Sequence, residues 1–251
     1  MLKTRVIPTL LWKDTTLVKG VGFDSWRRVG TMIPAIKVYN TRQVDELIVL
    51  DITDTRDNRE PDYFMINEFA AECFVPLTFG GGVNSVEIIK RLLRSGADKI
   101  SVNSVIYENP DIVEQGVKRF GKQCIVASID VKKEKDDYIC YSRSGSFNTN
   151  RQLDEVVQTV YALGVGEILI TSIEQDGTMN GYDVEMIRSV SDRVDIPVIA
   201  SGGAGNYKHM YEALVYGKAS AVAAASIYHF TEQTPLEAKD YLNRKGIPIR
   251  R

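Results

Sequence analysis

Val75-Pro76-Leu77-Thr78-Phe79-Gly80-Gly81-Gly82 has a counterpart in Ile196-Pro197-Val198-Ile199-Ala200-Ser201-Gly202-Gly203. Both are apolar runs of strand length with a proline at the second position, and both end in glycines. They lie 197 − 76 = 121 residues apart. Outward from them, Asp45-Glu46-Leu47-Ile48-Val49-Leu50 matches Gly166-Glu167-Ile168-Leu169-Ile170-Thr171 at the same offset. Ala97-Asp98-Lys99-Ile100-Ser101-Val102-Asn103-Ser104 matches Ala219–Ser226 at an offset of 122. Several registers agreeing this closely mark the chain as two copies of one supersecondary unit.

Short Val- and Ile-rich runs predict strands over Arg5–Leu11, Glu46–Asp51, Val75–Phe79, Asp98–Val102, Cys124–Asp130, Glu167–Thr171, Ile196–Ala200 and Ala221–Ala225. Their near-continuous hydrophobicity suits parallel strands covered on both faces. Amphipathic segments between them, such as Ser85–Arg94, Asp111–Arg119, Asp154–Leu163 and Asp183–Val190, predict helices. In the first, Val86, Ile89, Leu92 and Leu93 fall at helical spacing, with Ser85 at the start and Gly96 past the end. Eight strands alternating with helices in 251 residues predict an α/β fold, a single (β/α)₈ TIM barrel of two fused half-barrels. No linker divides residues 1–251, so one domain is expected; an open doubly wound sheet is the alternative.

Composition bounds the function. With 44% hydrophobic and 25% charged residues the chain reads as globular, and this size buries roughly three quarters of the unfolded surface. A net charge of −2, from 31 basic and 33 acidic residues, supplies no basic field for nucleic acid. Cys73, Cys124 and Cys140 are isolated, which argues against structural zinc and suits a reducing cytoplasm. Met1–Arg5 runs straight into a strand-like segment without a signal peptide, and no apolar stretch approaches membrane-spanning length. His209 and His229 suggest no metal site, and no cofactor motif is expected.

Barrels of this class place their sites at the C-terminal ends of the strands. Gly81 and Gly82 follow the third strand, and Gly202 and Gly203 the seventh. Glycine lets the backbone approach an anion closely and aim N–H groups at it. Asn103-Ser104 and Ala225-Ser226 end the fourth and eighth strands, each before a helix whose start favours negative charge. Each half therefore offers a phosphate cradle, on opposite sides of the mouth. One glycine loop alone is equally well a tight turn; the repetition favours a phosphorylated ligand. Asp176-Gly177-Thr178, after the sixth strand, fits the same rim, with an Asp–Gly turn as the plain alternative.

Val18-Lys19-Gly20-Val21, Leu50-Asp51-Ile52-Thr53, the Gly80–Gly82 run, Asp176-Gly177-Thr178, Gly181-Tyr182-Asp183 and Ile196–Gly203 resemble the cyclase subunits of imidazole glycerol phosphate synthase (HisF). The resemblance runs from Arg5 almost to Arg251. It implies a lyase/cyclase fed by a glutaminase (HisH-like) subunit docked at the N-terminal barrel face, where Asp98 matches the family's contact. Ammonia then crosses the barrel, and a substrate with two phosphates is cleaved and cyclised at the opposite mouth. Arg5, Glu46, Lys99 and Glu167 match the family's charged gate, and Lys19 and Asp51 its substrate-binding residues. Two cations and two anions at strand starts can form a ring of ion pairs; an ordinary salt-bridged floor is the plainer account.

The family uses two aspartates, at equivalent positions of strands one and five. Asp130, in Ser128-Ile129-Asp130, supplies the second. Strand one reads Ile7-Pro8-Thr9-Leu10-Leu11-Trp12, with Leu11 where the first belongs and Thr9 where a cysteine is usual. Leucine transfers no proton, and losing one of two cooperating acid–base groups costs orders of magnitude in rate. Asp14 lies three residues further on, in the loop. Lys132–Asn150 holds the place of the family's mobile mouth loops. Trp12, Trp26 and Asp54–Arg59 are further departures; Arg27, Arg28, Arg56 and Arg59 suit an anionic ligand, although exposed arginines are usually just solvated.

The departures cluster at the mouth while the gate is kept. That pattern resembles a divergent branch that serves acetamidino formation on nucleotide-linked sugars in surface polysaccharide biosynthesis, together with a sugar amidotransferase. An authentic cyclase of histidine biosynthesis is one alternative. A non-catalytic, ammonia-conducting scaffold that activates a glutaminase is another.

Overall fold

Along β1 (Arg5–Lys13) every residue from Val6 to Trp12 is buried, as only a strand covered on both faces allows. The computed structural model describes residues 3–57 and 59–250, without the Arg56 side chain, so the ligand role expected of Arg56 lies outside the described residues. In chain order β1 is followed by β2 (Thr16–Val21), β3 (Asp24–Gly30), α1 (Met32–Thr41), β4 (Leu47–Asp51), α2 (Asp54–Asp57), α3 (Tyr63–Glu72) and β5 (Leu77–Gly80). Next come α4 (Val86–Arg94), β6 (Lys99–Val102), α5 (Ser104–Glu108), α6 (Pro110–Phe120), β7 (Ile125–Glu134), β8 (Asp137–Ser142), β9 (Phe147–Gln152) and α7 (Leu153–Ala162). The chain ends with β10 (Glu167–Ser172), α8 (Val184–Ser191), β11 (Val198–Ser201), α9 (Tyr207–Val215), β12 (Ala221–Ala224), α10 (Ser226–Phe230) and α11 (Pro235–Arg244).

Eight parallel strands close in the order β1-β4-β5-β6-β7-β10-β11-β12 and back to β1, giving the expected (β/α)₈ barrel. Two apolar cores hold it. Ile7, Ile48, Val126, Leu169 and Ile199 pack inside the barrel with Ala221 and Ala223, apart from the larger core between strands and helices. The helices form as their caps and patterns require. Ser85 accepts the Ile88 N–H at 3.2 Å to start α4, Gly96 follows it at φ +102°, and Ile88, Ile89 and Leu92 are its buried face. Val86 and Leu93 sit at the edge of that face, one position off the expected centre.

Four strands leave the barrel. β2 and β3 carry β1 onward as an antiparallel hairpin, and β8 and β9 do the same for β7. This corrects the reading of Lys132–Asn150 as loop: Lys132–Glu134 continue β7, and most of the remainder is paired strand. Its polar composition reflects a sheet that stands clear of the core.

The registers fix how the halves correspond. Leu11 on β1 pairs with Leu50 on β4, and Asp130 on β7 pairs with Thr171 on β10; from Leu50 to Thr171 is again 171 − 50 = 121. Leu11 and Asp130 are therefore mates, 130 − 11 = 119 residues apart. The tight turns beyond them, Lys13 to Thr16 and Glu134 to Asp137, are 121 apart. Between the site position and its turn, each arm of the second hairpin is two residues longer than that of the first.

Candidate active site

At the C-terminal ends of the barrel strands lies a cavity, open at the mouth. Asp130 enters it from β7, 8% exposed, and its Oδ2 accepts the Asn103 Nδ2 amide at 3.2 Å. Burial, and then the nearby Asp176, push the Asp130 carboxyl up to about 7. A group poised there exchanges protons readily at neutral pH. Its mate Leu11 also lines the cavity, backed by Leu50, and Thr9 below it has a buried hydroxyl with no partner.

Lys19 reaches in from β2, 2% exposed, and its Nζ lies 2.5 Å from Asp176 Oδ2. The hairpin that carries Lys19 is tied to the loop carrying Asp176, since the Gly22 N–H donates to the Asp176 carbonyl at 2.8 Å. Burial, and then Lys19, lower His229 to about 4, so this imidazole on α10 is neutral. Asp51 ends β4, and its Oδ1 accepts from the Thr53 N–H and hydroxyl, both at 2.7 Å, and from the Asp54 N–H at 2.9 Å. One oxygen of Asp51 thus starts α2. Burial, and then Asp51, push Asp54 up to about 7.

Gly81, Asn103, Ser104, Gly177, Gly202, Gly203, Ala225 and Ser226 line the same cavity; Gly82 does not. The backbone is close at both glycine loops. A Cβ on Gly81 would stand 2.6 Å from the Asp51 carbonyl, and one on Gly203 only 1.9 Å from the Gly181 carbonyl. Asn103 and Ala225 share an unusual backbone, φ −126° and ψ −79° against φ −128° and ψ −67°, so the two loops are built alike.

The four residues expected to form a gate, Arg5, Glu46, Lys99 and Glu167, meet at the opposite end of the barrel. Arg5 lies 2.7 Å from Glu46 and 3.0 Å from Glu167, and Lys99 lies 2.9 Å and 3.1 Å from the same two carboxylates. Thr78 donates to Glu46 at 2.8 Å. Asp98, expected at a partner surface, is exposed on this face, and its Oδ2 accepts the Leu77 N–H at 2.8 Å.

Of the arginines suggested for an anion, Arg27 lies 3.9 Å over the Phe230 ring. Arg59 faces Asp14, Asp54 and Asp57. Arg28 is exposed on β3. Asp14 stands in the β1–β2 turn at φ +44°, outside the cavity lining, so it does not replace the missing carboxylate. Phe23 and Trp26 line the cavity and were not foreseen as site residues. Their signal is a two-residue turn, Gly22-Phe23 at φ +60° and +61°, between Val21 and Asp24.

The family model for histidine biosynthesis proteins matches residues 5–234. The chain is 42% identical over 250 residues to imidazole glycerol phosphate synthase subunit HisF of Chlorobium limicola. It is 42% identical over 254 residues to that subunit from Microcystis aeruginosa, and 43% over 250 residues to that from Chlorobaculum parvum. In each comparison both chains are covered completely. With the barrel, the charged floor and the two matching glycine loops in place, the chain belongs to the histidine biosynthesis protein family, among its HisF-like members.

Proposed function

We propose that this barrel receives ammonia from a glutaminase subunit at its N-terminal face and serves amidine formation on a nucleotide-linked sugar at its C-terminal mouth. In that reaction ammonia adds to the carbonyl carbon of an acetamido group, a C=N bond replaces the C=O bond and the oxygen leaves as water, with a sugar amidotransferase as the bond-making partner. The observation that carries the proposal is Leu11. It occupies the mate position of Asp130 and leaves one acid–base group where closure of an imidazole ring draws on two.

The intact floor supports the supply half of the reading, since four alternating charges with no unpaired member exclude ions and leave a small neutral molecule as the plausible passenger. An authentic cyclase of histidine biosynthesis is the second reading, favoured by the full-length identity and by the buried Lys19–Asp176 pair. The test is turnover of the aminoimidazole bisphosphate substrate of histidine biosynthesis by the purified chain with saturating ammonium, before and after Leu11→Asp. No turnover by the unmodified chain, with turnover appearing in the variant, is expected. Robust turnover by the unmodified chain sinks the amidine reading and establishes the second.

A further inference from the structure

The two glycine loops are built alike, yet their hydrogen-bonding groups are in different states. At the loop after β5, the Gly82 N–H already donates to Thr55 Oγ1 at 2.9 Å, a place a phosphate oxygen would take. Asn103, the residue that leads into α5, spends its amide on the Ser128 carbonyl at 3.0 Å and on Asp130 at 3.2 Å. Ser104 Oγ accepts the Arg143 N–H at 3.0 Å and donates to Asn103 Oδ1 at 3.4 Å. Carboxyl groups also gather there, and the nearby cation Arg59 is already paired with Asp54 at 3.6 Å. A Cβ on Gly82 would lie 3.1 Å from Asp54 Cβ, and Asp51 flanks Gly81.

The other half differs at each of these points. Ser226, the counterpart of Ser104, lines the cavity, is 5% exposed, and its hydroxyl is buried without a partner. Asn103 is replaced by Ala225, which has no amide to spend. The cation Lys19 lies close enough to α10 to act on His229. A buried hydroxyl left unsatisfied is costly, and a ligand oxygen would satisfy it.

We infer that the mouth takes a ligand with one phosphate-type anionic group, seated between Gly202-Gly203 and Ser226, and an uncharged group against the side lined by Gly81 and Thr55. A substrate with phosphates at both ends would meet hydrogen-bonding groups already engaged, and two carboxyl groups, at its second end. The linked phosphates of a nucleotide sugar count as one such anionic group. The inference rests on the reading that the mouth binds a phosphorylated ligand, and it narrows which kind.

The test is titration of the full chain with inorganic phosphate at a pH above 7, with no ammonia, glutaminase or substrate present, followed by amide chemical shifts and calorimetry. One site is expected. Ser226→Ala should weaken it roughly tenfold, the loss of one hydrogen bond to a charged group, while Ser104→Ala leaves it unchanged. Asp54→Asn combined with Thr55→Ala should open a second site, because it frees the Gly82 N–H and removes a charge. Thermal melts of each variant confirm that the fold is kept. Two equal sites in the unmodified chain, a single site lost with Ser104→Ala, or no binding at all overturns the inference. A chain without cyclase turnover that binds two phosphates keeps the amidine reading and loses only this one.

Discussion

Leu11 and Asp130 hold the same place in the two half-barrels, each facing the cavity from its strand, and only Asp130 can carry a proton. The Asp130 carboxyl has no second carboxylate across the pseudo-two-fold axis to share with, and burial keeps it protonated to about 7. Its folded-state value lies above the 3.8 of an unfolded chain. Its contribution to stability is therefore full below pH 4 and lost as pH rises through 7. Asp54 titrates in the same direction and over the same range. Urea denaturation of the unmodified chain against Asp130→Asn should show the unmodified chain losing ground between pH 4 and pH 7, by at most about 4 kcal/mol. A difference that stays flat across that window, measured in an Asp54→Asn background, disproves the assignment.

Each floor carboxylate has two cations, and each cation two carboxylates. Lys99→Ala should cost about 3 kcal/mol, because it leaves Glu46 and Glu167 sharing Arg5 alone in a largely desolvated ring. Adding Glu167→Gln should recover a good part of that loss. Chemical denaturation of both single variants and the double variant gives the coupling; strict additivity would mean that the ring acts as independent pairs.

Thr15 sits in the β1–β2 turn at φ +71°, a conformation that strains a β-branched residue, beside Asp14 at φ +44°. Thr15→Gly should therefore stabilise the protein by about 1 kcal/mol and raise Tm. A lower Tm in the variant contradicts the strain argument.

Arg27 over Phe230 links the β2–β3 hairpin to α10 across the mouth. With the ring 37% exposed, the contact should contribute about 0.5–1 kcal/mol. Arg27→Ala should speed amide hydrogen exchange in β2 and β3 by several fold while leaving the barrel strands unchanged. Equal exchange in both proteins would show that other contacts, such as Gly22 to Asp176, hold the hairpin.

The barrel was legible because its strands are buried on both faces, so their sequence is apolar almost without interruption. Their ends were less so. Val75 and Pro76 look like strand but precede β5, which begins at Leu77. The floor was legible as two cations and two anions at strand starts, and the structure joins all four. The mouth was harder. Phe in the left-handed second position of the Gly22-Phe23 turn hides a hairpin usually announced by Asn-Gly, and with it the inward placement of Phe23 and Trp26. Glycine spacing located both loops but not the state of their N–H groups, because Thr55 arrives from α2, 27 residues from Gly82. The absence of a carboxylate at Leu11 was plain in the sequence, where the resemblance already set Leu11 against Asp130; the strand registers supply that equivalence independently.

The two extra residue pairs of the second hairpin lie beyond the barrel, between the Asp130–Tyr141 pair and the turn. Duplication symmetry is therefore enforced only where backbone bonds must close the ring, and it lapses where the chain rises above it. Below the rim a change of length would shift a stave and turn its side chains to the wrong face. Above it, one half can lengthen, or exchange an acid for a leucine, while the other stays as it was. A fold of this kind can change its chemistry one half at a time, and a single substitution on strand one suffices to test whether the change is reversible.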